Sequence, residues 1–358
     1  MTETTRPILP ANKAVAVLLT ILAAAGTFFL FEGLASCLLI VDRLVLHAEP
    51  VVKERSHCRY DDVLGWVQLP NLDLADQYGP GVFLRTNARG FRGSREVDID
   101  VPAGRTRIVC SGDSFTLGYG VNDDQAWCQL LTALDPRRET VNMGQGGYGA
   151  DQAYLWYRRD GEPLAHQAQV FAVDTVELER MRRDEFLGYG RPVLQLVDDG
   201  LTVTNTPIPR RGYALPWLTQ NATSLTELRS MQLLLKIAHR LSPPVAGRST
   251  ADTRTVAARM FADLHAINER KGSRLVLVYL PIPTDYDQGD SEPWRRWLEA
   301  EAARQHIPYV DLVETLRNMP ESGWRALFDP KTGHFSVEGN RRVAQLIAAQ
   351  LDDVLGRQ

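Results

Sequence analysis

The pattern of hydrophobic and polar positions divides the chain into three stretches. In the first, residues 14–31 carry no charge, Glu32 interrupts the apolar run, and it resumes as far as Val41. About 20 apolar residues carry a helix across a bilayer, so this segment predicts a transmembrane helix. From His47 to about Arg105 no helical period shows. Turn-formers dominate there, as in Leu64-Gly65-Trp66, Pro70-Asn71 and Thr86-Asn87-Ala88-Arg89-Gly90-Phe91-Arg92-Gly93. Such a stretch predicts a small extended lobe of short strands. Its Trp66, Phe83 and Phe91 either pack inside the lobe or wall a cleft.

From Arg107 onward, short apolar runs alternate with helical periods. The runs predict strands at 107–110, 140–143, 169–173, 274–280 and 309–312. Helical spacing predicts helices near 125–134, 150–158, 251–270, 292–305 and 336–355. In the last of these, Ser336 with Glu338 and Gly339 reads as a capped start, and Val343, Leu346, Ile347 and Leu351 form its apolar stripe. Strands alternating with helices predict an α/β fold, a three-layer α/β/α sandwich with a parallel sheet. The interval 175–248 exceeds a plain crossover. Residues 193–203 read as a hairpin turning at Asp199-Gly200, and Leu225, Leu228, Leu233, Leu234 and Ile237 have helical spacing. It is expected to be an insertion that shapes substrate access. The expected organisation is an N-terminal tip and anchor over 1–43, an extended β-rich lobe over 44–105, and the sandwich over 106–358.

Composition narrows the function classes. The 358 residues are 44% hydrophobic and 23% charged, ordinary values for a globular protein. A net charge of −4 with no Lys/Arg stripe argues against a nucleic-acid partner. The histidines are scattered without metal-ligand spacing, and no cofactor motif stands out, so neither metal nor cofactor is expected. Arg6 and Lys13 flank the apolar segment, as in a signal peptide, and Leu34-Ala35-Ser36-Cys37 looks like a lipoprotein cleavage box. Glu32 ahead of that box and the apolar continuation behind it favour an uncleaved anchor instead. The basic flank puts the N-terminus in the cytoplasm and the rest of the chain outside, although Arg43, Lys53 and Arg55 weaken the asymmetry. Of four cysteines, Cys37 lies in the apolar segment and Cys110 in a predicted strand; Cys58 and Cys128 either pair in an oxidising compartment or remain free buried thiols.

The candidate chemistry sits where Ile108-Val109-Cys110-Ser111 passes through Gly112-Asp113 into Ser114. Such a corner can present a hydroxyl at the carboxyl end of a parallel strand, where open α/β sheets place their ligands. Serine needs a base to become a nucleophile, and histidine, with an ordinary pKa of about 6.5, is suited to it. His334, in Gly333-His334-Phe335-Ser336, lies between the last predicted strand and the last helix, a loop expected to open on the same sheet edge. A third feature is the glycine-rich turn Gly144-Gln145-Gly146-Gly147-Tyr148-Gly149. It lacks the Lys-Ser/Thr pair of a phosphate-binding P-loop.

Together, the Gly112-Asp113-Ser114 corner and the His334 block resemble the first and last blocks of the SGNH (GDSL-type) hydrolase family. The upstream Leu-Gly-Trp and Asn-Ala-Arg-Gly-Phe-Arg segments resemble its membrane-attached bacterial members. The resemblance spans about 107–355 and implies a flavodoxin-like sandwich. It further implies Ser114 as nucleophile, His334 as base, and an oxyanion hole from the N–H groups of Ser114 and Gly147. The family's aspartate commonly stands three residues before the histidine, a place held here by Lys331; Asp329 is the nearest carboxylate, and a dyad oriented by a backbone carbonyl is the alternative. The family's third block supplies an asparagine donor, and here Val173 takes its place before Asp174. The implied activity is a serine esterase acting through an acyl-enzyme on a small-molecule or carbohydrate ester, with O-acetyl groups of cell-surface polysaccharide as the preferred substrate. An O-acyltransferase of polysaccharide assembly and a non-catalytic carbohydrate-binding protein of the same fold are the alternatives.

Overall fold

The computed structural model describes residues 11–45, 57–187, 189–209, 228–241, 248–287, 289–317 and 319–356. Arg6, Lys53, Arg55 and the first part of the predicted helical stretch, including Leu225, lie outside the described residues. The chain divides into two units, residues 1–56 with 211–243, and 57–210 with 244–358.

In the first unit, α1 (Ala11–Val45) is one continuous helix. Its Lys13–Asp42 portion contains an 18-residue stretch with a mean hydropathy of 2.4 and is long and apolar enough to cross a membrane. At 1.5 Å per residue, the 35-residue helix is about 52 Å long, well beyond a hydrocarbon core of about 30 Å. A second helix of this unit, α6 (Arg229–Leu241), starts against Glu32. The Glu32 carboxylate accepts from the backbone N–H of Arg229 at 2.7 Å and of Ser230 at 3.1 Å. A carboxylate there satisfies helix-terminal donors and complements the helix dipole. Lys236 makes an ion pair with Asp42 further along. The charge that interrupts the apolar run is therefore the cap of another helix.

The second unit is built on a parallel sheet of five strands: β1 (Thr106–Gly112), β2 (Arg138–Gly144), β3 (Ala168–Val173), β4 (Arg274–Tyr279) and β5 (Tyr309–Asp311). Their order in space is β5-β4-β3-β1-β2. The direction of winding reverses between β1 and β3, and ligands of doubly wound sheets bind at the carboxyl ends beside such a switch. Side chains alternate across each strand. Ile108, Cys110, Val170, Ala172, Val276 and Val278 join one core cluster with Trp127, Cys128 and Leu131 of α3 (Trp127–Leu134). Val343, Ala344, Ile347 and Leu351 of α9 (Val337–Leu355) complete that face. Phe171, offset by one residue, meets Phe261 of α7 (Thr250–Arg270), ring centroids 6.2 Å apart. Helices thus cover both faces, and the expected three-layer sandwich is what the chain forms. Other helices of this unit include α2 (Ser114–Leu117), α4 (Ala150–Trp156), α5 (Thr175–Arg180) and α8 (Glu292–Arg304).

The five predicted strands coincide with β1 to β5 within about two residues at each end, the usual uncertainty of element boundaries. Two details differ. The hairpin turns at Asp198-Asp199 rather than Asp199-Gly200, because Gly200 pairs with Val197 in the ladder. Both aspartates take positive φ, 46° and 61°, as a two-residue type I′ connection requires. None of the four cysteines forms a disulfide, and Cys128 has Cys110 as its thiol neighbour, not Cys58. Burial, reinforced by that neighbour, pushes the Cys110 thiol well up.

Candidate active site

Two glycines make the Ser114 corner possible. A Cβ on Gly112 would lie 2.3 Å from Thr116 Oγ1, and one on Gly144 would lie 2.0 Å from the backbone nitrogen of Leu117. The single turn of α2 therefore presses directly on the ends of β1 and β2. Asp113 Oδ1 accepts the N–H of Phe115 at 2.8 Å and caps that turn, while Gly118, in left-handed conformation at φ 79°, ends it. Ser114 is held in place at the carboxyl end of β1, its side chain almost buried.

His334 reaches it from the loop before α9. That loop is tied by Asp329 N–H to His334 O and Gly333 N–H to Asp329 O, both 2.8 Å. Ser336 Oγ then accepts Gly339 N–H at 3.1 Å and starts the helix, as its sequence position predicts. Nε2 of His334 lies 2.9 Å from Ser114 Oγ, and Nδ1 lies 3.1 Å from the carbonyl oxygen of Thr332. A carbonyl can only accept, so Nδ1 carries the proton and Nε2 is left free to accept the serine's. Phe115 and Tyr119 lie tilted against the ring, with centroids 4.7 and 4.6 Å away and interplanar angles of 30° and 32°. Burial pulls the His334 pKa below its ordinary value, and it outweighs the opposing influence of Asp113 and of the Thr332 carbonyl.

Asp329 is not a partner of the ring. Its Oδ1 accepts Lys331 N–H at 3.1 Å and its Oδ2 accepts the Thr332 hydroxyl at 3.0 Å. The first of these bonds lowers its pKa. Its carboxylate shapes the loop whose Thr332 carbonyl faces Nδ1, so the arrangement is that of a serine–histidine dyad oriented by a backbone carbonyl.

The glycine-rich turn follows β2, the neighbour of β1. Gly147 has φ +80°, and a Cβ there would meet Phe186 Cε1 at 2.5 Å and Trp66 Cζ2 at 3.3 Å. Trp66 comes from the extended lobe, which here belongs to the wall of the site. Its Nε1 donates to Gly146 O at 3.0 Å, and Tyr148 Oη donates to Trp66 O at 2.5 Å. Gln145 N–H donates to Gly112 O at 3.2 Å and ties the turn back to the corner. Among the described residues, the N–H groups of Ser114 and Gly147 donate to no protein acceptor, the state an oxyanion-binding donor must have before substrate arrives. Val173 is buried and offers no donor; Asp174 Oδ1 accepts Glu177 N–H at 2.7 Å and caps α5.

Sequence reasoning missed the charged network beneath the serine. Asp113 Oδ2 lies 3.3 Å from Ser114 Oγ, and Arg180 Nη1 donates both to it and to Tyr148 O at 2.8 Å. Asp174 and Glu177 complete the group, both almost fully buried. Burial first, and then the negative charge of Asp113, pushes Asp174 up to about 8 and Glu177 well above the usual range. The network therefore combines one ion pair, Asp113 with Arg180, with two acids whose burial favours the neutral form. Arg180 gave no signal in the charge-rich sequence around it, because its role depends on α5 folding back under the corner. Among the described residues no group of His, Cys, Asp and Glu side chains could hold a metal ion.

No family model matches this chain, and no curated protein matches it. Solved structures do. A putative lipolytic protein of the G-D-S-L family from Desulfitobacterium hafniense is 17% identical, covering 69% of this chain and 100% of its own, with a TM-score of 0.40. The lipase/acylhydrolase from Enterococcus faecalis is 14% identical over 71% of this chain and 98% of its own, also at TM-score 0.40. An acetyl xylan esterase is 15% identical over 68% and 98%, again at 0.40. Likeness at this level carries no activity over to this chain.

Proposed function

We propose that this chain is a serine esterase of the SGNH type that hydrolyses an ester through an acyl-enzyme. The observation that carries the reading is the 2.9 Å approach of His334 Nε2 to Ser114 Oγ at the sheet's switch point. Ser114 Oγ attacks the ester carbonyl as its proton passes to His334 Nε2. The N–H groups of Ser114 and Gly147 receive the developing oxyanion. His334 then protonates the departing alcohol, leaving Ser114 acylated. Water attacks the acyl-enzyme, gives its proton to Nε2, and the carboxylic acid leaves as Ser114 regains its hydrogen. The preferred substrates are O-acetyl groups on cell-surface carbohydrate, reached by a catalytic unit held outside the membrane by α1. A reporter active only outside the cytoplasm, fused after Gln358, tests that placement; silence from a stable fusion reverses it.

The buried Val173, in the place of the family's asparagine donor, favours a second reading, a carbohydrate-binding protein without turnover. Fluorophosphonate labelling of the full chain in detergent separates the two. The wild type is expected to label, and Ser114→Ala and His334→Ala are not. A folded wild type that takes no label overturns the esterase. With an oligosaccharide present, acyl transfer to a sugar in place of water identifies a transferase.

A further inference from the structure

Beside the serine corner lies a cavity of about 380 Å³. Four arginines line it, Arg180, Arg182, Arg183 and Arg248, against two carboxylates, Glu179 and Glu185. Glu179 is already engaged: Oε2 accepts Arg182 Nη1 at 2.7 Å and Oε1 accepts Trp294 Nε1 at 3.0 Å. The Arg183 guanidinium is exposed and has no partner among the described residues. Arg180 Nε and Arg248 Nη1 are buried without an acceptor. Leaving N–H groups of buried cations unpaired is unfavourable, and crowding guanidinium groups adds repulsion. A carboxylate or phosphate relieves both, because its oxygens match the planar donor fork.

The cavity adjoins the chemistry through two of its walls. Arg180 Nη1 is 2.8 Å from Asp113 Oδ2, itself 3.3 Å from Ser114 Oγ. The Phe186 ring lies 4.7 Å from the Arg180 guanidinium carbon and is the group a Cβ on Gly147 would strike. We propose that this arginine-lined cavity is a subsite for an anionic group of the substrate, a carboxylate or phosphate carried within reach of the scissile ester. The proposal rests on the esterase reading and adds the charge of the substrate to it.

The test uses the full chain in detergent and three esters. 4-Nitrophenyl acetate is neutral, mono-4-nitrophenyl succinate carries its anion on the acyl side, and 4-acetoxybenzoate carries it on the alcohol side. Arg183→Ala and Arg248→Ala are expected to raise KM about tenfold, or about 1.4 kcal/mol, for one anionic ester, with kcat and the neutral ester unmoved. Whichever ester responds identifies the side that bears the charge. Arg183→Lys should recover part of the loss. Equal changes for neutral and anionic esters, or none, overturn the subsite. If no ester turns over, the esterase reading fails separately, and calorimetry of 4-acetoxybenzoate with Ser114→Ala decides: binding weakened by adding Arg183→Ala supports the subsite, and absence of binding overturns it.

Discussion

Replacing Asp329 distinguishes a ring-holding carboxylate from a loop-shaping one. Where a carboxylate grips the base directly, converting it to the amide costs about 10⁴ in kcat, because the imidazole is left in the wrong tautomer. Here the tautomer is set by the Thr332 carbonyl, 3.1 Å from Nδ1, and no side-chain change removes that group. The Asp329 carboxylate makes two bonds to its own loop, at 3.1 and 3.0 Å. In Asp329→Asn the amide oxygen keeps the Lys331 N–H, and the Thr332 hydroxyl turns to accept from the amide nitrogen, so kcat should stay within about tenfold of wild type. Asp329→Ala loses both bonds, each contributing about 0.5–1.5 kcal/mol, so its upper limit is about 10²-fold. The assay is hydrolysis of 4-nitrophenyl acetate, with the fluorophosphonate labelling rate as a second readout and a melting curve to confirm folding. A loss of about 10³ or more in a folded Asp329→Asn protein would show that the carboxylate contacts the ring during turnover, and the dyad would be refuted.

Three further outcomes follow from the same geometry. Because burial lowers the His334 pKa, the acid limb of kcat/KM should have its midpoint below about 6.5, and a midpoint above 7 would contradict the placement. Gly147→Ala should cut kcat by about 10² and also lower the melting temperature, since at φ +80° the new Cβ is strained, strikes Phe186 and displaces an oxyanion donor; an unaffected kcat in the folded variant removes Gly147 from the hole. Asp174 takes up a proton on folding, its pKa raised to about 8, so its contribution to stability is complete below its unfolded value and is lost as pH rises toward 8. Asp174→Asn should flatten that fall by up to about 1.4 kcal/mol per pH unit in melting experiments, and an unchanged slope would mean Asp174 is ionised throughout.

The sandwich was legible because each central strand is a short run buried on both faces and each long helix repeats its apolar positions. The lobe was legible only as turn-rich chain: its strands, such as Asp73–Leu74 and Leu84–Arg85, are too short to show a period. The pairing of Glu32 with the start of α6 spans 197 residues and leaves no local trace. In the site, Gly112, Ser114 and His334 stood out because a tight corner and a proton acceptor demand particular residue types. The partner of Nδ1 did not, because a main-chain carbonyl belongs to every residue. Trp66 was open between core packing and a cleft wall, and its part in fixing the turn that carries Gly147 depends on a contact across 80 residues.

The acid network beneath Ser114 explains why three carboxylates can border a site that must accept negative charge. Were Asp113, Asp174 and Glu177 all ionised beside one Arg180, the oxyanion would form against a net charge of −2. Desolvation prevents this, since buried carboxyl groups that cannot all be paired take up protons instead. Asp113 is the member paired with Arg180, and both of its oxygens are used, for the α2 cap and for Arg180. Burial is the main cause of the shifts of Asp174, Glu177 and His334, and the Asp113 charge adds to the first two and opposes the third, so one ion pair biases all three neighbours. The same pair draws Arg180 toward the serine and leaves its Nε in the wall of the neighbouring cavity. Loss of the Asp113 charge would therefore act on the base and on the anion subsite together, whereas loss of Arg183 would act on the subsite alone.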